Sequence, residues 1–226
     1  MPPWEDLPPT LQTEEVRPYY EALSRRGLQL WLKRLLDVVG ATVLFVLLGW
    51  LFVILALLIK LDSPGPVFFR QRRVTQFGRE FRIVKFRTMT HRPAAPGDQI
   101  TRGDDPRITR VGAVLRRYRL DEISQLIDIL RGTMSFVGTR PEVPDYVRQY
   151  TPQMRATLLL PAGVTSTASI EFKDEAQILA AAPPGQDAYV TQVLPAKMRL
   201  NLRDVRDFSI GRDLRIAFRT ILAVAT

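Results

Sequence analysis

The sequence predicts an α+β fold: a small globular αβ domain with a β-hairpin, carried on an N-terminal reentrant membrane helix and on interfacial amphipathic helices. Three observations indicate this fold class, namely a long uncharged apolar run, two segments that alternate apolar and basic residues, and an amphipathic, arginine-bearing C-terminal segment. The 226 residues suffice for a modest domain plus a membrane element. We expect a tail or helix over 1–28, the membrane helix over 29–61 and the globular domain over 62–226.

The first 22 residues are spotted with proline and rich in acidic side chains. No basic segment precedes an apolar run here, which argues against a secretory signal peptide. We therefore predict a mobile tail that becomes helical near Tyr19–Leu28.

The apolar run covers Val38–Ile59, which is 22 consecutive positions without a charged residue. About 20 such residues cross the hydrocarbon core of a bilayer as a helix. Basic residues flank the run on both sides, so the positive-inside rule finds no asymmetry and both ends are expected at the same leaflet. This favours a helix that enters the membrane and returns, with Gly49 as the weak point for a bend; a spanning helix is the alternative. Asp37 is expected to pair with Lys33 or Arg34 at the interface.

The segments that follow the apolar run are typical of a β-hairpin. Asp62–Pro66 (DSPGP) is a stop and turn signal. Residues 67–74 and 80–89 then alternate apolar and basic side chains with a period of two, and 76–79 form the connection.

Helical spacing of apolar residues recurs in the rest of the chain. We predict a helix over 116–130 that stops at Gly132, and further helices over 145–160, 188–201 and 207–225. In the last of these, apolar residues share one face and arginines lie off it, a pattern that suits either a membrane interface or a packed core. That apolar face consists of Ile210, Leu214, Ala217, Phe218, Ile221 and Leu222.

The composition narrows the chemistry. Cysteine is absent and His91 is the single histidine, which argues against thiolate nucleophiles, multi-histidine metal sites and Ser-His-Asp triads. Catalysis would therefore rest on carboxylates, hydroxyls, Lys/Arg or an oxygen-ligated metal. The net charge of +9 is concentrated between Arg70 and Arg119, where 14 Lys/Arg face 4 acids. Such a block is typical of chains that bind phosphates, nucleic acid or an anionic membrane surface.

Two adjacent acids, Asp121 and Glu122, stand at the start of a predicted helical run and directly after three arginines, in LRRYRLDEISQ. The helix dipole and the guanidinium groups are expected to keep both carboxylates ionised. Consecutive helix positions point about 100° apart. The pair therefore suits two separate roles, one nucleophile and one metal ligand, better than the sharing of one proton. Simple capping of a helix start is the structural alternative.

Five segments of the chain, taken in order, resemble the bacterial sugar transferase family, the monotopic phosphoglycosyl transferases. They are KRLLD, LIKLDSPGPVFFRQRRV, FRIVKFRTM, DDPRITRVGAVLRRYRLDEISQL and RGTMSFVGTRPE. The resemblance implies an enzyme that moves a phospho-sugar from a UDP-sugar to undecaprenyl phosphate and releases UMP, with Mg²⁺ as cofactor. It also implies a location at the bacterial inner membrane, among its lipids, with the catalytic domain on the cytoplasmic face.

The same resemblance implies roles for individual residues. Asp121 matches the nucleophile that carries the phospho-sugar covalently, and Glu122 matches the ligand of the magnesium ion. If Glu122 is not the ligand, Asp104 and Asp105 are the next residues to test. Phosphate-binding roles are expected for Arg116, Lys85, Arg87 and Arg140, and contacts with lipid headgroups for Lys33 and Arg34.

The chain departs from the family pattern at three places. Gly49–Trp50 stands where the family usually has Ser-Pro in the membrane helix, and Thr139 replaces the first proline of a Pro-Arg-Pro turn. Residues 161–166 read PAGVTS, which differs from the usual pattern. We expect the specificity for the sugar to lie in the divergent region after Pro161.

Other functions explain parts of the sequence. A nucleic-acid-binding module would account for the basic block but not for the apolar run or the acidic pair, so no nucleic acid partner is expected. A non-catalytic membrane adaptor that binds anionic lipid is the main alternative, and a hydrolase of nucleotide sugars is the third. The sequence identifies neither the sugar nor the pathway, and it is compatible with a homodimer.

Overall fold

The computed structural model describes residues 1–90, 105–173, 175 and 189–225, so that His91 and Asp104 lie outside the described residues. Within these ranges the helices are α1 (Arg17–Ser24), α2 (Gly27–Asp62), α3 (Arg110–Arg117), α4 (Leu126–Arg131), α5 (Pro144–Val147), α6 (Thr167–Glu171), α7 (Leu194–Arg206) and α8 (Ile210–Ala225). The strands are β1 (Phe68–Val74), β2 (Glu80–Phe86), β3 (Met134–Val137) and β4 (Ala162–Thr165). Shorter 3-10 segments are Trp4–Asp6, Pro9–Leu11, Gln76–Gly78, Leu120–Gln125 and Gln153–Leu159, and Tyr189–Val193 is a π-helical turn.

The N-terminal residues pack against the globular domain. Leu7, Leu11, Val16 and Leu23 are buried. They form one apolar cluster with side chains of the 3-10 segment Gln153–Leu159 and of α7. The prediction of a mobile tail is wrong, because its irregularly spaced apolar side chains cover a surface of the domain that is distant in sequence.

Helix α2 contains the whole uncharged run. Its 36 residues span about 54 Å at 1.5 Å per residue, and by length and composition it is able to cross a membrane. The helix is continuous through Gly49, so the bend that we predicted there does not interrupt it. Every side chain from 42 to 47 is exposed, which shows that the middle of the helix has little contact with the globular domain.

Three charged side chains fix the N-terminal half of α2 to the domain. Lys33 forms a buried ion pair with Asp213 of α8. Arg34 donates to the last carbonyls of α4, at 2.7 and 3.1 Å. Asp37 accepts a hydrogen bond from the backbone N–H of Phe136 at 3.0 Å. The prediction that Asp37 pairs with Lys33 or Arg34 is therefore wrong, because strand β3 runs beside the helix and presents an N–H to this carboxylate.

The C-terminal end of α2 is fixed from the hairpin and from α3. The guanidinium of Arg87, which follows β2, is buried and donates to the carbonyls of Ser63 (2.6 Å) and Pro64 (2.8 Å). These carbonyls belong to the chain that leaves the helix, where acceptors lack intrahelical partners. Asp62 accepts from the N–H of Val111 in the first turn of α3 at 3.0 Å. Both ends of α2 are thus attached to the same domain.

The predicted hairpin is confirmed. Strands β1 and β2 pair antiparallel, with Phe68 opposite Phe86 and Val74 opposite Glu80. The connection is a 3-10 turn in which Phe77 and Gly78 adopt positive φ angles of 59° and 75°. Ile83, Val84 and Phe86 of β2 are buried, so this strand is covered on both faces near its end. Phe69 of β1 is exposed, so the alternation of apolar and basic residues marks the strands without separating an inner from an outer face.

Strands β3 and β4 form a separate parallel pair. Gly138, the residue after β3, lies against Gly163 in β4. A Cβ on Gly163 would lie 2.1 Å from the backbone nitrogen of Gly138. Only glycine permits this approach. It holds the turn that follows β3, residues 139–142, close to β4.

The predicted helix over 116–130 is divided into three pieces. Helix α3 ends at Arg117, and Arg119 adopts a left-handed φ of 52° that turns the chain. A 3-10 segment, Leu120–Gln125, then leads into α4, which ends at Gly132 with φ 81° as predicted. The predicted helix over 145–160 is likewise divided, into α5 and a 3-10 segment, because Pro152 interrupts it.

Helix α8 has its apolar face directed away from the domain. Leu214, Phe218 and Ile221 are each more than half exposed. Arg212 pairs with Asp204 of α7 at 2.9 Å, and Arg219 pairs with Glu171 of α6 at 3.0 Å. The helix therefore packs on the domain through these ion pairs and the buried side chain of Ile216. Within the described residues its opposite, apolar side is left uncovered, as in an interfacial helix.

Candidate active site

Glu122 lies at the centre of a cluster built from three parts of the chain. Its Oε1 accepts a hydrogen bond from Lys85 Nζ at 2.9 Å. The guanidinium of Arg140 donates to both carboxylate oxygens, with Nη1 at 3.2 Å from Oε2. Lys85 belongs to β2, Glu122 to the 3-10 segment before α4, and Arg140 to the turn after β3. The structure thus brings three of the predicted site residues into contact.

Strand β2 positions both Lys85 and the segment that carries the acids. The N–H of Val84 donates to Asp128 Oδ2 at 2.8 Å. The carbonyl of Val84 accepts from Ser124 Oγ at 3.0 Å. These two buried hydrogen bonds attach the 3-10 segment and α4 to the strand, and they place Glu122 beside Lys85, the next residue along β2.

The charged side chains of the cluster shift one another's pKa values. Burial alone would raise the pKa of Glu122, but Arg140 and Lys85 outweigh it and hold that pKa well below the ordinary value. The charge of Glu122 raises the pKa of Arg140 above that of a free guanidinium. Burial lowers the pKa of Lys85, although Glu122 opposes this effect. Glu122 is therefore an ionised carboxylate held by two cations.

Asp121 is in a different situation from its neighbour. Among the described residues, no other side chain forms a hydrogen bond or an ion pair with its carboxylate. Burial raises the pKa of Asp121, and the nearby negative charge of Glu122 raises it further. We predicted that the helix dipole and the arginines would keep both carboxylates ionised. At Asp121, burial and the charge of Glu122 oppose that effect, Arg116 supports it, and the segment is a 3-10 helix, not an α-helix. Its carboxylate is left available for another partner.

Arg116 lies close enough to Asp121 to lower the pKa of that carboxyl group, although more weakly than burial raises it. Within the part of the chain that the structure describes, no side chain or carbonyl accepts from this guanidinium. It is half-buried at the end of α3. A partly buried arginine without a counter-ion is suited to bind an anion.

A family model described as bacterial sugar transferase matches residues 28–226. The chain belongs to this family. The assignment made from the five sequence segments is thereby confirmed.

Similar proteins carry consistent names. The chain is 36% identical over 225 residues to the UDP-glucose:undecaprenyl-phosphate glucose-1-phosphate transferase of Caulobacter vibrioides, covering 98% of this chain and 79% of that protein. It is 34% identical over 211 residues to the exopolysaccharide production protein ExoY of Rhizobium meliloti, covering 85% of this chain and 84% of that protein. It is 34% identical to the UDP-N-acetylgalactosamine-undecaprenyl-phosphate N-acetylgalactosaminephosphotransferase of Aeromonas hydrophila over 87% of this chain, which spans only 44% of that longer protein. The prediction of a sugar-phosphate transferase agrees with these names.

The sugar transferase offers few ligands for a metal ion. Among the described residues, no group of three or more His, Asp or Glu side chains is suited to hold one. Magnesium commonly uses one or two protein carboxylates and completes its shell with water and substrate phosphates. Asp121, whose carboxylate has no partner side chain among the described residues, fits this pattern as a hard oxygen ligand. Glu122 fits it only by sharing with the ion the oxygens that Lys85 and Arg140 contact, and the phosphates of a substrate would supply the rest.

Asp105 has a partner of its own. It pairs with Arg107, whose Nε lies 2.9 Å from Oδ1, and this contact lowers the pKa of Asp105 to about 2. It is therefore less available to a metal ion than Asp121.

Three of the predicted binding residues of the sugar transferase lie apart from the cluster. Arg87 is two residues from Lys85, but strand β2 ends at Phe86, and the Arg87 side chain turns to the end of α2. Lys33 and Arg34 are engaged with the domain itself, through Asp213 and the end of α4. These three cations fix α2, and their contacts do not include an open phosphate site.

Sequence reasoning passed over two residues beside the cluster, Arg73 and Glu142. Arg73 is one of several arginines in β1, and nothing in its spacing separates it from the exposed ones. Glu142 closes the Arg-Pro-Glu turn, and its nearness to Arg140 was the one available signal.

Proposed function

We propose that this sugar transferase moves a sugar 1-phosphate from a UDP-sugar to undecaprenyl phosphate and releases UMP, through a covalent phospho-sugar on Asp121. This would be the first membrane step in the synthesis of a bacterial glycoconjugate. The observation that carries the proposal is the contrast between the two acids. Glu122 is held by Lys85 and Arg140, whereas no side chain of the described residues forms a hydrogen bond or an ion pair with the carboxylate of Asp121. The names of the relatives support the substrate classes.

The chemistry divides into two displacements. In the first, an oxygen of Asp121 attacks the phosphorus that carries the sugar; the bond from that phosphorus to the bridging oxygen breaks, and UMP leaves. In the second, a phosphate oxygen of undecaprenyl phosphate attacks the same phosphorus, and the bond to Asp121 breaks. The carboxylate is restored and the lipid diphosphate sugar is the product. The nucleotide sugar and the lipid phosphate therefore need not be bound at the same time.

The cations around the acids suit these steps. Arg116 has no partner among the described residues and can bind the diphosphate, while Lys85 and Arg140 keep Glu122 in a fixed orientation. A bound Mg²⁺, with Glu122 and Asp121 as its protein ligands, would supply charge neutralisation of the diphosphate.

We further propose that α2 enters the cytoplasmic face of the inner membrane and returns, so that both ends lie on that face. Residues before the helix pack on residues after it: Val16 and Leu23 share a core with Leu159 and Val205. This contact supports the placement of both ends of the helix on one side of the bilayer. The exposed middle of the helix and the outward apolar face of α8 are then the surfaces in the lipid.

Labelling of single introduced cysteines tests this topology. The chain has no native cysteine, so Thr10→Cys and Glu14→Cys, both at exposed positions, are clean reporters. We expect an impermeant thiol reagent to leave both unlabelled in intact cells and to label both after lysis. Arg148→Cys, exposed on the globular domain, is the matched control and should behave in the same way. Efficient labelling of Thr10→Cys in intact cells would show a spanning helix.

An assay of UMP release tests the activity. Purified protein is incubated with Mg²⁺, undecaprenyl phosphate and each of a panel of UDP-sugars. We expect continued turnover, beyond one UMP per enzyme molecule, with one or a few of them and only when the lipid is present. No UMP with any sugar would favour the membrane adaptor, and full turnover without the lipid would favour a hydrolase.

A further inference from the structure

Glu142 is a buried carboxylate next to the active site that the proposed mechanism does not use. Its side chain is 9% exposed and accepts a hydrogen bond from the hydroxyl of Tyr189. Arg73 Nη1 lies 3.9 Å from its Oε2, and Lys197 Nζ lies 3.8 Å from its Oε1. Lys197 also pairs with Glu175 at 2.9 Å. Glu142 is thus the common partner of one hydroxyl and two cations from three different elements.

The backbone joins this carboxylate to the catalytic cluster. Glu142 and Arg140 belong to one turn, separated by Pro141, whose ring fixes its φ angle. The carbonyl of Glu142 accepts from the N–H of Val74 at 3.0 Å. The carbonyl of Pro141 accepts from Arg73 Nη1 at 3.1 Å. Because the turn is short and stiff, a displacement of Glu142 also displaces Arg140.

Charge links the two residues as well. The guanidinium groups of Arg73 and Arg140 are near enough to repel each other, and the negative charge of Glu142 attracts both. Removal of that charge would leave Arg73 and Lys197 buried with less compensation, beside the guanidinium that holds Glu122. The expected response is a shift of Arg140 away from its two-point contact with Glu122.

We propose that Glu142 is a positioning residue, which acts through Arg140 to orient Glu122 and which connects α7 and the turn at Tyr189 to the catalytic cluster. This inference rests on the proposed transferase function. Glu142 itself touches no reacting atom in this scheme. Tyr189 and Lys197 hold its carboxylate in place.

A double-mutant cycle between Glu142→Gln and Arg140→Lys tests the proposal. With the UDP-sugar that gives the most UMP, Glu142→Gln is expected to lower kcat by about tenfold while KM changes by less than about threefold. In the Arg140→Lys background the same substitution should cost less than about twofold, because its route of action is already broken. Tyr189→Phe should reproduce part of the loss, and Glu142→Asp, which keeps the charge, should restore part of the kcat.

Glu171→Gln is the matched control, since Glu171 is an exposed carboxylate that pairs with Arg219 far from Arg140 in sequence; its kcat should be that of the wild type. Equal losses from Glu142→Gln in the two backgrounds, or a loss confined to KM, would overturn the positioning role. If the wild type releases no UMP from any UDP-sugar, the transferase proposal fails by itself. The cycle is then measured on the thermal unfolding midpoints of the same four proteins, where coupling is expected and additivity would overturn the inference.

Discussion

Asp121→Asn is expected to lower the rate of UMP release by about 10³-fold or more, because an amide cannot form the covalent phospho-sugar. Asparagine has nearly the size of aspartate, and among the described residues no other side chain depends on the Asp121 carboxylate. The free energy of unfolding should therefore change by roughly 1 kcal/mol or less. Steady-state UMP release and thermal unfolding of the two proteins measure both effects.

The intermediate itself is accessible in the half-reaction. Wild-type protein given UDP-sugar and Mg²⁺ without lipid should release about one UMP per molecule and then stall, as a covalent mechanism requires. Intact-protein mass spectrometry should then find one phospho-sugar adduct, which Asp121→Asn lacks. Asp145→Asn, at an exposed acid in α5, is the matched control and should keep the adduct. If no adduct forms on the wild type and the kinetics require a ternary complex, Asp121 is a base or a ligand and the two-step mechanism is wrong.

Glu122→Gln should have the second largest effect, a loss of Mg²⁺-dependent turnover of about 10²-fold, the usual effect of removing a fixed electrostatic group from an active site. The structure adds a cost in stability, because the substitution leaves Lys85 and Arg140 without their common counter-ion. We expect a loss on the order of 2 kcal/mol in the free energy of unfolding at neutral pH. Mg²⁺ titrations of turnover and denaturant unfolding in detergent measure the two quantities. Full activity with unchanged Mg²⁺ dependence would show that the metal ligand lies elsewhere.

Both the stability cost and the residual activity of Glu122→Gln should depend on pH in a direction that follows from the pKa shifts. The folded-state pKa of Glu122 is lowered, so its contribution to stability is fully present above the pKa of an unfolded glutamate, about 4.3. It is lost as the pH falls through the lower folded-state pKa. The stability difference between wild type and Glu122→Gln should therefore shrink below about pH 4. The charge of Glu122 raises the pKa of Asp121, so the residual activity of Glu122→Gln should begin at a lower pH than that of the wild type.

Local periodicity predicted the parts of the fold that depend on local order. The alternation in 67–74 and 80–89 predicted the hairpin because successive side chains of a strand point to opposite faces with a period of two. The uncharged run predicted α2, and Gly132 predicted the end of α4. The acidic pair and Arg140 could also be singled out, and the structure brings Glu122 and Arg140 into contact.

The features that the sequence did not predict depend on contacts between residues that are distant in sequence. The left-handed Arg119 divides a stretch with helical spacing, and no glycine marks it in the sequence. Whether a basic side chain such as Arg87 or Lys33 meets a lipid phosphate or a backbone carbonyl depends on what folds beside it. The buried N-terminal leucines belong to the same class, because their partners lie more than a hundred residues away.

The attachment of Arg87 to the end of α2 has a consequence for the choice of acceptor. Lys85, in β2, contacts Glu122, and Arg87, two residues further along the chain, contacts the residues at the end of α2. One short segment therefore holds both the acidic pair and the end of α2. With α2 embedded as proposed, the acidic pair sits at a set height above the hydrocarbon. A phosphate that is tethered at headgroup depth arrives at this height by lateral diffusion alone, whereas a phosphate dissolved in water must find it in three dimensions. The depth of a phosphate in the bilayer would then decide whether it reaches the acidic pair. The proposed lipid acceptor would be selected first by this depth, before its isoprene chain makes any contact.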